Sequence, residues 1–470
     1  MNGKLKKTVS TFISADKFER LKVMLLSLTF LFVIGAYTVI YDLKSSIFMS
    51  VVGREYVPYA KMLSMIILIP AVLFYAFLVD RLRRYQLIYF YSITYGIFGL
   101  ICVYLIGHPT IGIVNTDSSP YRLFGWAFYF FVEGFSPFVV SVFWAFANSI
   151  SSPEGAKENY SILVAGSKMG GMFSAGLAWF LLSIKDINGI RILSDAVNHQ
   201  ILLLFFSCLV LFIPFVVYYL MRRVPGKYLH GYEAVYQFEK EKKEKQEEEE
   251  DKEEKITRPG LLSGLRMILE RPYILGIFGM ILFYEILNTI LSYQRLSVAQ
   301  TYANTISDVT MMLYQQMFAM HFIGFFISLF GTRTLLKRFG EPICLLLIPL
   351  ANGLLLFYFW ATYTPLSLMM VFVALKSVNY AFAQPVRESL YIPTIKDVKF
   401  KSKSWIDAFG AKMARGSGSL VNVLADKLGP MFYFQLHGAV FLLVIAFWFV
   451  TAYLLGNRYT RAVKHNEVIG

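Results

Sequence analysis

"EKEKKEKQEEEEDKEEK", residues 239–255, is a run of charge that no bilayer would accept, in a chain whose mean hydropathy is +0.54. Its Glu and Lys residues recur three and four apart, a spacing that supports an exposed helix through side-chain pairs. It reads as a solvated linker without a binding role. The flanking sequence is the opposite. Apolar blocks fall near 22–43, 57–78, 86–107, 123–148, 160–183 and 200–221, and again near 272–292, 311–332, 342–361, 365–384, 404–426 and 432–456. Each approaches the ~20 residues needed to cross a hydrocarbon core of ~30 Å. A soluble domain that is 56% hydrophobic would expose contiguous apolar surface to water. The fold class expected is therefore an all-α polytopic membrane protein, with twelve transmembrane helices in two six-helix bundles. The bundles are 1–221 and 272–470, the latter with a C-terminal tail, and 222–271 is a charged linker.

Charge sets the orientation. The N-terminal stretch, "DRLRR" (80–84), "MRRVPGK" (221–227), "LLKRFG" (335–340), "KDVKFKSK" (396–403) and "NRYTRAVKH" (457–465) all fall on one side if twelve spans are counted. Loops on the other side, such as "GHPTIGIVNTDSSP" (107–120), are poor in cations. The positive-inside rule places both termini and the linker in the cytoplasm. The formal net charge of +14 is explained in this way, without a nucleic-acid partner. "MNGKLKKTVSTFISADKFERLK" (1–22) reads as an interfacial helix ahead of the first span, with no small-residue cleavage site after it. Cys102, Cys208 and Cys344 sit singly in apolar blocks and read as small core residues. His321 and His437 read as bonded packing histidines. No phosphate loop, HExxH or nucleophile elbow is present, so no enzyme, cofactor or metal is expected.

The two halves look like repeats. "GSKMGG" (166–171) in span five matches "GAKMAR" (410–415) in span eleven, 244 residues later, and basic turns follow spans two and eight. Parallel six-helix repeats joined by a long cytoplasmic linker are the organisation of major-facilitator transporters, so the fold is expected to be major-facilitator-like.

Ionisable residues inside spans are costly and face a cavity or a partner. Asp42 and Lys44 end span one, Glu133 lies inside span four, and Glu285 and Arg295 come from span seven. Lys376 lies in span ten, followed by Arg387 and Glu388; Asp407, Lys412 and Arg415 belong to span eleven. Lys44 and Arg295 lie where a long side chain can snorkel to the extracellular boundary. Arg387, Glu388 and Lys168 fit structural ion pairs or helix-end anchors as well as a site. Glu133 and Glu285 are mid-span, where a lone carboxylate would be protonated or paired. The 244-residue offset sets Lys376 opposite Val132, beside Glu133 and at about the same depth. Several cations with two carboxylates suit an anionic, polyprotic substrate, since Arg and Lys meet phosphate oxygens with charge-assisted hydrogen bonds. Tyr37, Phe131, Trp144, Tyr284 and Tyr380 lie on the same spans and offer stacking surfaces for a base.

Four stretches together, "AYTVIYDLKSS" (36–46), "EGFSPFVVSVFWAFANSI" (133–150), "KSVNYAFAQPVRESLYIP" (376–393) and "KSKSWIDAFGAKMARGSGSL" (401–420), resemble the ATP:ADP antiporters of obligate intracellular bacteria and plastids, which are unrelated to mitochondrial carriers. The resemblance runs in order over essentially the whole chain. It implies exchange of nucleotides, ATP for ADP, by a monomer working through alternating access in the lipid bilayer. It places the family's critical first-span lysine on Lys44, its glutamates on Glu133 and Glu285, and its eleventh-span cation on Arg415. Lys376 joins these four as a substrate-binding candidate, with Arg387, Tyr380, Lys412 and Asp42 ranked behind. The sequence departs from the family pattern at Ala36, Tyr41 and Ser45, and in the Gly-Ser-Gly-Ser run after Arg415. Those positions surround the implied phosphate site. They bear on which nucleotide, or which coupling to protons, rather than on the fold.

Overall fold

The structure is a computed structural model that describes residues 17–151, 153–187, 191–225, 263–391 and 410–465, with a few isolated positions besides. Residues 1–16, the charge run 239–255 and Asp407 lie outside the described residues. The described chain is built from long helices, the form that satisfies every backbone N–H and C=O within the segment where no water can. In order these are α1 (Lys17–Val51), α2 (Val57–Arg81), α3 (Arg84–Ile106), α4 (Leu123–Ser149), α5 (Pro153–Ser183) and α6 (Asp195–Arg223). After a short helix (Ser263–Glu270) follow α7 (Pro272–Tyr302), α8 (Ile306–Phe326), α9 (Thr332–Thr362, broken by a kink at Gly340 with φ +74°), α10 (Pro365–Ser389), α11 (Ala411–Leu428) and α12 (Pro430–Lys464). Among the described residues, nine helices are long and apolar enough to cross a membrane. The other three, α5, α8 and α11, are more polar along their length, and two of them carry the repeated glycine motif.

Helix ends follow local chemistry. Thr305 accepts from the Asp308 N–H while Asp308 accepts from the Thr305 N–H, closing the start of α8. Thr364 and Ser367 do the same at α10, where Pro365 stands at a position whose N–H has no helical partner. Gly53 takes φ +125° in the turn out of α1, and Gly429 takes φ +81° between α11 and α12. Side chains with a Cβ are strained there.

The molecule falls into two compact units. One comprises Met1–Lys44, Pro70–Asn115 and Phe131–Thr257; the other comprises Ser45–Ile69, Thr116–Phe130 and Arg258–Gly470. In the first unit, α1 and α5 cross closely enough that a Cβ on Gly166 would meet Ser27, and one on Gly170 would lie 2.2 Å from the Leu31 carbonyl oxygen. Gly35 faces Ser174 at the same crossing. Small residues allow this approach where lipid supplies no hydrophobic drive for helices to associate. In the second unit, α7 and α11 cross in the same manner. Gly410 faces Phe278, and a Cβ on Gly418 would lie 2.8 Å from the Ile286 carbonyl oxygen.

These crossings fix the register of the repeat. Matching Gly166 to Gly410 and Ser27 to Phe278 also matches Ser174 to Gly418 and Gly35 to Ile286. A second marker agrees in kind. Within α4, Ser136–Val140 forms a π-turn in which the Ser141 N–H reaches back to the Ser136 carbonyl; within α10, Asn379–Ala383 forms another, with the Gln384 N–H on the Asn379 carbonyl. Pro137 and Pro385 have no N–H to give to the carbonyls four residues back, and the chain widens to compensate. The π-turns align Glu133 with Lys376, each three residues ahead of its turn, one residue away from the Val132 match that a constant offset predicts.

The thiol expectation needs one correction: Cys102 and Cys344 are buried, but Cys208 is exposed on the face of α6. Lipid and core are both apolar, so composition does not distinguish them.

Candidate functional site

Each unit holds charged side chains at the depth of its helices. In the first unit, the Lys44 ammonium from α1 donates to the Glu133 carboxylate of α4, with both side chains under a tenth exposed. Lys44 therefore does not snorkel. Its ammonium also lies 5.0 Å from the centre of the Tyr41 ring, where a cation gains from the ring quadrupole. Glu133 is the last residue of the regular part of α4, just where Pro137 interrupts the helix. Asp42, one of the lower-ranked candidates, is buried on the same turn of α1. Around this pair stand aromatics: Tyr37 stacks on Phe135, Tyr95 packs on Phe131 and Phe135, and the Tyr95 hydroxyl donates to the Phe131 carbonyl at 3.0 Å. Phe131 is stacked on Phe98 at 3.7 Å and Trp144 is wedged on Phe30, so both rings are engaged in packing.

The second unit pairs Glu285 of α7 with Arg415 of α11 at 3.6 Å. This pair is looser. The Arg415 side chain is 34% exposed, and its Nε also donates to the Ala411 carbonyl one turn back. Asn288 donates to Glu285 at 3.3 Å, holding the carboxylate from its own helix. Lys412 is half-buried, three residues from Arg415 on α11. Lys376 is 3% exposed, and its ammonium lies 5.1 Å from the centre of the Phe372 ring. Arg387 donates to the Asn379 side-chain oxygen at 2.8 Å, bridging the π-turn of α10, and Tyr380, on that turn, is exposed. Tyr284 is buried.

Two expectations change. Arg295, expected to be able to reach the extracellular boundary, is 3% exposed; it donates to the Leu313 carbonyl at 2.8 Å and stands 4.4 Å from the Phe372 ring centre. Lys168 sits in the middle of α5, half-buried, rather than at a helix end. The structure thus brings Lys44 to Glu133 and Arg415 to Glu285, and it adds Arg295 beside Lys376. Hydropathy alone hid Arg295, because a cation ten residues past Glu285 looks terminal in a span of average length, whereas α7 runs on to Tyr302.

Cation–carboxylate pairs held inside membrane helices mark substrate or ion pathways, and the comparisons with known proteins name transporters. A model of the TLC ATP/ADP transporter family matches residues 1–459. The chain belongs to that family. "ADP,ATP carrier protein 3" of Rickettsia typhi is 22% identical over 489 residues, covering 94% of each chain. "ADP,ATP carrier protein 1" of Chlamydia trachomatis is 23% identical, covering 96% of this chain and 90% of that one. Among solved structures, the D-xylose-proton symporter aligns with a TM-score of 0.59 at 13% identity, over 91% of this chain and 96% of that chain. An inward-facing bacterial homologue of the human lysosomal transporter Spinster aligns at 0.53 and 12%, over 95% and 99%. At such identities the likeness concerns the fold, which is the twelve-helix major-facilitator type in this member of the TLC family.

Proposed function

We propose that the protein exchanges ATP for ADP across a bacterial inner membrane by alternating access, as a monomer with both termini in the cytoplasm. The six-helix divisions 1–221 and 272–470 are the moving parts, and 222–271 links them. The observation that carries the reading is the buried ion pair of Lys44 with Glu133, repeated in kind by Arg415 with Glu285. In a family of ATP/ADP transporters, a buried cation held by a carboxylate is a phosphate site with its own internal anion. A nucleotide phosphate takes over the cation with charge-assisted hydrogen bonds, and the carboxylate changes partner. Lys44, Lys376 and Arg415 hold phosphates in this scheme, and Arg387 and Lys412 stand behind them. A site whose cations must not cross low dielectric uncompensated resists reorienting without an anion, which favours obligatory exchange over one-way transport.

The test is counterflow in liposomes. Labelled ATP should enter vesicles preloaded with ADP and fail to enter vesicles without internal nucleotide. Entry driven by a pH gradient into nucleotide-free vesicles would assign Glu133 or Glu285 a proton-carrying role instead. Entry of neither ATP nor any other nucleotide in either arm rejects both.

A further inference from the structure

Glycines also set the register of α3 on α6, in the first unit. A Cβ on Gly96 would meet Leu211, one on Gly99 would meet Ser207, and one on Gly107 would meet Gln200, whose side chain donates to the Val103 carbonyl. The two helices therefore run antiparallel, and each step forward on α3 is a step back on α6. Continued to the helix ends, this register sets Tyr89 against Tyr218, Tyr85 against Arg222 and Arg84 against Arg223. Tyr89 and Tyr218 do interact electrostatically across the crossing. Arg83 and Arg84 open α3, and the turn from α2 brings Arg81. Five guanidinium groups gather in this way at one end of the α3–α6 pair. Helix chemistry accounts for only two of them. Arg222 and Arg223 end α6, where a cation is favoured, but Arg83 and Arg84 stand at the positive end of α3, where it is not.

The contacts of these arginines show what they face. The Arg223 guanidinium lies 5.5 Å from the centre of the exposed Tyr219 ring, and Arg222 donates to the exposed Tyr218 hydroxyl at 3.2 Å. Arg81 stands 3.9 Å from the centre of the exposed Phe77 ring. A guanidinium carries five N–H donors, so heads resting on ring faces still have donors to give. One turn deeper along the same helices, Phe74 and Phe215 are exposed as well, at 49% and 69%. Cationic heads at the rim of an exposed apolar flank fit a phosphate that carries acyl chains, whereas a free phosphate leaves the flank unused. We propose that the α2–α3 turn and the end of α6 form a binding site for an anionic phospholipid, with the arginines on its headgroup and Phe77, Tyr218 and Tyr219 beside its chains. The lipid phosphate offsets the repulsion between Arg84 and Arg223 and so ties the ends of α3 and α6 together. The site is separate from the charged pairs of the helix interiors and does not depend on which anion the protein carries.

The experiment titrates phosphatidylglycerol or phosphatidylcholine into the detergent-solubilised full chain and reads an apparent Kd from the rise in Tm. Wild type should bind the anionic lipid at least about tenfold more tightly than the zwitterionic one. Joint replacement Arg84→Gln and Arg223→Gln should weaken phosphatidylglycerol binding by about twenty-fivefold, at about fivefold for each basic residue near an anionic headgroup, and leave phosphatidylcholine binding unchanged. The control, Arg461→Gln with Lys464→Gln, removes the same charge from the end of α12 on the same membrane face and should bind as wild type does. Equal losses in the two double variants would mean that only overall surface charge attracts the lipid, and the site would be wrong. A wild type that does not distinguish the two lipids overturns it, as does an Arg84/Arg223 variant with wild-type affinity. Glycerol 3-phosphate, the headgroup chemistry without chains, should give no rise in Tm at the same concentration; a rise equal to that of the lipid would assign the patch to a soluble anion instead. Arg222→Gln alone should weaken phosphatidylglycerol binding by about fivefold, which keeps the test decisive should the double variant not fold; wild-type affinity in it counts against the site.

Discussion

Lys44 and Glu133 are to the first repeat what Arg295 and Lys376 are to the second, yet the first positions join a cation to a carboxylate while the second set two cations against one ring, Phe372. Lys44 stands seventeen residues beyond Ser27, and Arg295 stands seventeen beyond Phe278, so the two occupy matching places. The frame around them is shared: a glycine-lined crossing on one side and a proline-linked π-turn on the other. The carboxylate has moved as well. In the first repeat it lies on α4 and meets α1; in the second it lies on α7 and meets α11. The repeat therefore conserves backbone register while leaving the sign at each register position free. A symmetric frame with asymmetric charge can grip an asymmetric ligand, whose base is neutral and whose phosphate tail is not.

The harshest way to break this comparison is to give the first repeat the signs of the second. Glu133→Lys leaves Lys44 beside a like charge in a buried place, and losing one partner of such a pair costs about 3–5 kcal/mol. The variant should lose exchange entirely and melt well below wild type in detergent. The reverse change, Lys376→Glu, replaces a candidate phosphate ligand with a carboxylate, so it should lose ATP exchange. If Glu133→Lys melts like wild type, the pair does not hold α1 to α4.

Arg415→Ala should separate function from stability. Its side chain is one-third exposed and its partner is 3.6 Å away, so the pair contributes at most about 1 kcal/mol to folding. Its loss as a phosphate ligand removes a charged hydrogen bond of about 1.5–3 kcal/mol, which is a ten- to hundred-fold fall in kcat/KM. Undiminished exchange at wild-type expression would remove Arg415 from the site.

The crossings can be probed directly. Gly170→Ala would set a Cβ 2.2 Å from a carbonyl oxygen, and Gly418→Ala would set one at 2.8 Å. Overpacking of this kind costs about 1–3 kcal/mol, and the first variant should be the worse. Equal melting temperatures for the two would mean that the crossings are not equally rigid, and the register argument would weaken.

Much of this was legible in the sequence because the membrane makes charge conspicuous. Lys44, Glu133, Glu285 and Arg415 stood out as costly within apolar spans, and all four are found in ion pairs. Which cation meets which carboxylate was not legible, since pairing depends on helix adjacency that hydropathy does not encode. The alignment of Lys376 with Glu133 falls one residue off a constant offset, because the stretch between the π-turn and the glycine motif is one residue longer in the second repeat, and a constant offset cannot register that. Arg295 was misplaced for a related reason: span length was judged from the bilayer, while α7 is 31 residues long. The six-plus-six count, by contrast, needed only the charge run and the apolar blocks around it.

The smallest expected effect tests whether polar bonds or close packing set the register of α7 on α11. The Tyr293 hydroxyl donates to the Asp426 carboxylate at 2.5 Å, and nearby the Arg54 guanidinium, at the turn after α1, donates to the Ser297 hydroxyl at 2.7 Å, all within the second unit. Such bonds look decisive on a membrane helix, but the competing state also finds partners, and measured values average about 0.6 kcal/mol with a ceiling near 1.7. Tyr293→Phe keeps the ring and removes only the donor, so it should shift the melting temperature less than Gly418→Ala does. Asp42 occupies the matching place in the first repeat, fifteen residues past Ser27 as Tyr293 is past Phe278, and a carboxylate there cannot supply the same donor. The register survives that exchange of chemistry, which argues that it is held by the glycine crossing. A Tyr293→Phe variant that melts lower than Gly418→Ala would reverse the order and make the hydrogen bond the stronger determinant.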